Sequence, residues 1–202
     1  MTVDELARRL AEHAAPGRRI VAVVGAPGSG KSTLAERLAA SLADAAVLPM
    51  DGYHYDDGLL NARGLRARKG APETFDVGGF AHMLQRLRSN EEDEIAVPVF
   101  DRDLEISRAG ARMIGREVRT LIVEGNYLLL AAPPWDRLHA LYDVTVFLDV
   151  PEAELRRRLI ARWRGYGLAD DEVTAKVEGN DLPNGRFVRE NSSPADFTLS
   201  AS

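Results

Sequence analysis

The chain has no cysteine, and only three of its 26 basic residues are lysines, Lys31, Lys69 and Lys176. Without thiols there can be no disulfide, no thiolate metal site and no cysteine nucleophile, a composition that suits the cytoplasm. Positive charge is in deficit as well. Thirty-one acidic residues against 26 basic ones leave a net charge of −5. That argues against a broad nucleic-acid surface, whose affinity comes from neutralising phosphates, so any cationic site must be local. Long apolar runs are also missing: the richest, Tyr127 to Ala132, stops at Pro133-Pro134, and nothing approaches a membrane span. The first residues, Met1 to Leu10, carry early acids and no continuous apolar core, unlike a signal peptide. Thr2 with Glu5 reads as a capping box, so a short amphipathic helix is expected, packed through Val3, Leu6 and Leu10. A hydrophobic fraction of 45% over 202 residues suits one globular α/β domain.

Against that background one stretch stands out. Gly25-Ala26-Pro27-Gly28-Ser29-Gly30-Lys31-Ser32-Thr33 satisfies G-x-x-x-x-G-K-[ST]. In such a loop backbone N–H groups wrap a phosphate chain while the lysine reaches the β/γ-phosphates. The loop follows Arg19–Val24, a buried-strand run, and opens into Thr33–Ala43, whose leucines fall at helical spacing. Strand, glycine loop and helix is the setting the motif requires, because the helix N-terminus adds its dipole to the anion site.

Further strand signals lie at Ala45–Pro49, Thr120–Val123, Val144–Val150 and Phe197–Leu199. Helical patterns lie at Phe80–Leu87, Trp135–Leu141 and Glu152–Arg164. Strands alternating with helices imply right-handed crossovers. The expected fold is therefore a three-layer α/β/α sandwich with a mostly parallel sheet, the P-loop nucleoside triphosphate hydrolase architecture. The stretch from Asp51 to Asp76 shows no periodicity, and unstructured segments of that length inside compact domains are usually functional.

Two carboxylates fall at expected strand tips. Glu124 ends Thr120–Val123 beside the loop strand, where it can hold Mg²⁺ while Ser32 supplies a hydroxyl ligand. Asp51 follows Ala45–Pro49, places a second negative charge near that ion, and suits the group that accepts the acceptor's hydroxyl proton. Arg158 and Arg162 lie one helical turn apart and can close together over a triphosphate.

These residues resemble the P-loop kinases of the phosphoribulokinase/uridine kinase family, which includes bacterial type I pantothenate kinase. Met50-Asp51-Gly52-Tyr53 is similar to the family's catalytic-aspartate segment, and Val123-Glu124-Gly125 to its glutamate-glycine strand end. Arg68-Lys69-Gly70-Ala71-Pro72-Glu73-Thr74-Phe75-Asp76 resembles the K-G-x-P-E-S-[YF]-D run of pantothenate kinases. Pro98-Val99-Phe100-Asp101 looks like the P-x-Y-D acceptor segment of uridine kinases. Leu182-Pro183-Asn184-Gly185-Arg186, ahead of Ala195-Asp196-Phe197-Thr198-Leu199, resembles the last-strand region near the adenine, which implies nucleotide contacts from Asn184 and Arg186. One departure weighs against uridine: Arg102-Asp103-Leu104-Glu105 stands where uridine kinases soon place a histidine. The overall likeness is greatest to small bacterial nucleoside-kinase-like or fructose transport system kinases.

The resemblance implies an ATP- and Mg²⁺-dependent kinase acting on a hydroxyl of a sugar, nucleoside or pantothenate-like acceptor. Its acceptor pocket is expected to draw on Tyr53, Arg68, Phe75, Phe100 and Arg102. The expected organisation is a single domain over 1–202 with a lid-like helical segment at about 152–180. A cytoplasmic monomer or homodimer is expected, with no nucleic-acid or membrane partner. A regulatory nucleotide switch is the alternative, since Asp76-Val77-Gly78-Gly79 satisfies D-x-x-G. No N-K-x-D guanine reader accompanies it.

Overall fold

Burial alternates by side along the strand that precedes the glycine loop. Ile20, Ala22 and Val24 enter one hydrophobic cluster, Val21 and Val23 a second, and all five are fully buried. A strand apolar on both faces belongs in the middle of a covered parallel sheet. The computed structural model, which describes residues 3–12 and 17–200, places it there.

The first part of the chain runs α1 (Val3–Glu12), β1 (Arg19–Gly25), α2 (Lys31–Ala40), β2 (Ala45–Pro49), α3 (Asp57–Ala62) and α4 (Val77–Ser89). A hairpin of β3 (Glu94–Asp101) and β4 (Ile106–Gly115) follows, then β5 (Thr120–Gly125) and β6 (Val144–Asp149). The chain ends in α5 (Glu152–Gly165), α6 (Asp170–Lys176), α7 (Leu182–Asn191) and β7 (Phe197–Ser200). Five strands form one parallel sheet in the order β2-β5-β1-β6-β7. On one face α1, α2 and α5 pack through Leu6, Leu10, Leu34, Leu38, Leu155 and Leu159. On the other, α4 supplies Phe80, Leu84 and Leu87, a stripe at i, i+4 and i+7. Burying each such side chain contributes about 1.5–3 kcal/mol. This is the three-layer α/β/α fold.

The second layer is tied to the sheet by a buried guanidinium. Arg18 donates to the carbonyls of Val118 (2.7 Å), Leu87 (2.9 Å) and Gly115 (2.6 Å). It thereby satisfies a carbonyl in the last turn of α4 that has no partner within the helix.

Several local expectations need correction. The capping box at Thr2 lies outside the described residues, although α1 does bury Leu6 and Leu10. The β3–β4 hairpin, an antiparallel pair apart from the main sheet, gave no strand signal, because β4 is exposed along most of its length. Trp135–Leu141 forms a 3-10 helix rather than an α-helix. The segment after Asp51 is not structureless. It holds the 3-10 turns Met50–Tyr53, Arg66–Arg68 and Pro72–Thr74 as well as α3. Leu182–Arg186 opens α7, ahead of the expected last strand, which forms as β7. The D-x-x-G pattern is a helix cap: Asp76 Oδ1 accepts from the Gly79 N–H at 2.9 Å at the start of α4.

Candidate active site

All five parallel strands point the same way, so their carboxyl ends share one edge, the side where open α/β sheets bind ligands. The glycine loop leaves β1 there in a conformation only glycine adopts freely: φ is +78° at Gly28 and +91° at Gly30. Space is tight as well. A Cβ on Gly25 would lie 2.7 Å from Ser29 Oγ, and one on Gly28 would lie 2.9 Å from Leu159 Cγ. Ser29 is buried and its N–H donates to the Ala26 carbonyl at 3.1 Å, closing the loop. Pro27 lines the cavity in front, and Thr33 is exposed on α2.

Lys31 opens α2 with its ammonium facing Glu124 and Asp51. Burial pushes its pKa below the ordinary lysine range; the two carboxylates oppose that shift and Arg162 and Arg102 reinforce it. Glu124, buried at the tip of β5, accepts a hydrogen bond from Ser32, and burial raises its pKa against the pull of Lys31. Asp51 sits in the 3-10 turn after β2, pressed against the hairpin: a Cβ on the neighbouring Gly52 would lie 2.8 Å from the Pro98 carbonyl oxygen. Burial would raise the Asp51 pKa, but Arg102, His54 and Lys31 overcome it and hold the carboxyl below its usual range. Arg102 Nη2 donates to Asp51 Oδ2 at 2.6 Å.

Lys31, Asp51 and Arg102 open onto a cavity of about 490 Å³. Of the residues expected in the site, Pro27, Lys31, Asp51, Phe75, Phe100, Arg102, Arg162 and Asn184 line it. Arg162 enters from α5 with its guanidinium 5.5 Å and 5.9 Å from the ring centres of Trp163 and Tyr166. Arg158 does not reach the cavity. It braces the loop instead, donating to Glu154 (2.6 Å) and to the Ser29 carbonyl (3.1 Å).

Three other expected residues lie elsewhere. Tyr53 packs into the core with its ring centre 4.7 Å from that of Phe80. Arg68 pairs with Glu73 at 2.9 Å and lines a separate cavity of about 390 Å³. Arg186 is turned to Glu152, with two contacts of 2.7 Å and 2.8 Å. In the segment expected to be lid-like, Leu155 and Leu159 anchor the first half of α5 in the core.

The cavity gathers residues that sequence reasoning passed over. Lys69, its side chain only 8% exposed, donates to Asp57 (2.7 Å) and to the Glu105 carbonyl (2.5 Å). His54 lies between Phe75 and Phe100, with ring centres 4.0 Å and 5.0 Å away. Burial drives its pKa down to about 4 despite the pull of Asp51, so the imidazole is neutral. Asn126 follows Glu124-Gly125 and lines the same cavity, its buried Oδ1 without a hydrogen-bond partner. Asn180 and Asp181 arrive on a π-helical turn, Val177–Asp181, a form common at functional sites. The K-G-x-P-E run could have flagged Lys69; the π turn left no mark in the sequence.

The model of a family described as an AAA domain matches residues 21–177. A protein named as a candidate uridine kinase in Schizosaccharomyces pombe is 33% identical, over 97% of this chain and 89% of that protein. The chain belongs to the phosphoribulokinase/uridine kinase family of P-loop kinases. A solved structure from Silicibacter sp. TM1040, named as a candidate fructose transport system kinase, is 47% identical. It covers 98% of this chain and 99% of its own, with a TM-score of 0.93. The pantothenate kinase of Enterococcus faecalis is 30% identical over 71% of this chain but only 47% of its own length. This P-loop kinase is accordingly an ATP-dependent phosphotransferase with a small-molecule acceptor. Among the described residues no helix is long and apolar enough to cross a membrane.

Proposed function

We propose that this kinase transfers the γ-phosphoryl group of ATP to a hydroxyl of a sugar, nucleoside or pantothenate-like molecule. A sugar of the kind handled by transport-associated kinases is the leading choice, because the relative named for fructose transport is similar over almost its whole length. The observation that carries the reading is the meeting of Lys31, Asp51 and the buried Glu124 at the carboxyl edge of the sheet, with Lys31 and Asp51 lining one cavity. In this reading the loop from Gly25 to Thr33 cradles the phosphates, Lys31 neutralises them, and Arg162 closes over them from α5. Asp51 accepts the proton of the acceptor hydroxyl and aligns its oxygen with the γ-phosphorus. Phe75, Phe100 and Arg102 form the acceptor wall. The whole chain acts as one domain.

The donor set suits Mg²⁺. Ser32, Glu124 and Asp51 offer oxygen ligands, as a hard cation prefers. The described residues contain no group of three or more carboxylate or histidine ligands, so phosphate and water would complete the shell, the usual pattern for this ion. When bound, the ion neutralises charge on the phosphate oxygens.

The acceptor is identified by screening sugars, nucleosides and pantothenate for stimulated ADP release by the purified protein. Stimulation by one class names the substrate. If none of them raises ADP release, the reading fails and the regulatory switch takes its place.

A further inference from the structure

Arg102 reaches Asp51 from a turn that is itself held in shape. Asp101 Oδ1 accepts from the N–H groups of Asp103 (3.2 Å) and Leu104 (3.1 Å), and Glu105 takes φ +55°. The guanidinium carbon lies 5.8 Å from the Phe100 ring centre, and one nitrogen donates to Asp51 Oδ2 at 2.6 Å. Lys31 faces Asp51 from α2, His54 from its own turn and Glu124 from β5. Among the described residues, Arg102 makes the one direct ion pair to this carboxylate.

The cavity around the pair, about 490 Å³, has room for roughly sixteen water molecules at ~30 Å³ each. Any of them beside the γ-phosphate competes with the acceptor hydroxyl. A carboxylate able to take a proton from an alcohol can take one from water. In that side reaction the water oxygen bonds to the γ-phosphorus while the bond from γ-phosphorus to the β–γ bridging oxygen breaks. The proton passes to Asp51 and then to solvent, so ATP and water yield ADP, phosphate and a proton.

We propose that Arg102 is a positioning residue that withholds the Asp51 carboxylate from water until an acceptor fills the cavity and draws the guanidinium away. The inference rests on Asp51 as proton acceptor. Arg102 can move without disturbing the core, since its side chain is 45% exposed. Asp103 and Glu105, on the same turn and lining the same cavity, offer it anionic neighbours once released.

The test is ADP release from MgATP with no acceptor present. Arg102→Gln should release ADP about tenfold faster than wild type, part of the roughly 10²–10⁴-fold that a positioned base can supply. Arg102→Lys keeps the charge and should restore most of the suppression. Asp51→Asn added to Arg102→Gln should abolish the gain, and the two Arg102 single variants should bind a non-hydrolysable ATP analogue like wild type. Hydrolysis by Arg102→Gln at or below the wild-type rate overturns the inference, as does a gain that survives Asp51→Asn. Failure of the kinase reading looks different: no acceptor stimulates the wild type, and Asp51→Asn leaves its ADP release unchanged.

Discussion

His54 gives the site a measurable pH signature. Its imidazole is packed between Phe75 and Phe100 and stays neutral down to about pH 4. In the unfolded chain it protonates near its ordinary value of about 6.5. Between those values the unfolded state binds the proton and the folded state refuses it, so stability falls as pH drops through the window. From pH 7.5 to 5.0 the two titration curves differ by about 1.5 log units of proton binding, which corresponds to about 2 kcal/mol. Carboxylates titrate in the same range, so the comparison needs a reference. His54→Phe supplies one, because it keeps an aromatic ring in the stack and removes the titrating group. Urea unfolding of both proteins at the two pH values should show wild type losing about 2 kcal/mol more than the variant. Equal losses would refute the assignment of a buried, neutral imidazole.

Other substitutions test separate parts of the structure. Gly28→Ala places a Cβ at φ +78° and 2.9 Å from Leu159 Cγ; it should weaken ATP-analogue binding and lower stability by about 1–3 kcal/mol, seen by titration and urea melts. Lys31→Ala should abolish ATP turnover while leaving the circular dichroism spectrum unchanged, since Lys31 acts on ligand charge and not on the core. Arg18→Met strands the carbonyls of Val118, Leu87 and Gly115 and should cost about 3 kcal/mol or more in denaturant unfolding.

What the sequence made legible follows from how strongly each segment is constrained by its neighbours in the chain. β1, the glycine loop and α2 are visible together because the strand is apolar on both faces and the loop needs glycine at fixed offsets. Glu124 and Asp51 followed from strand ends, where a parallel sheet leaves little choice of edge. The β3–β4 hairpin was invisible because its outer strand is solvated and rich in arginine, with no alternation to read. Arg68, Tyr53 and Arg186 were misplaced for a related reason: whether a side chain turns into a cavity or toward a partner such as Glu73 or Glu152 is set by tertiary packing. His54, in the loop after Asp51, carried no catalytic signal, and Asn126 carried no pattern at all. Chain proximity sets His54 near Asp51, whereas only the folded chain brings Asn126 to the same wall.

The central claim, that Asp51 serves transfer to an acceptor, is tested most directly by Asp51→Asn. The substitution keeps size and hydrogen-bonding capacity and removes the basicity. Titration with a non-hydrolysable ATP analogue is run beside a coupled ADP assay using the best acceptor from the screen. The account predicts nucleotide affinity within a few-fold of wild type and phosphoryl transfer lower by about a hundredfold or more. Transfer at the wild-type rate would contradict it.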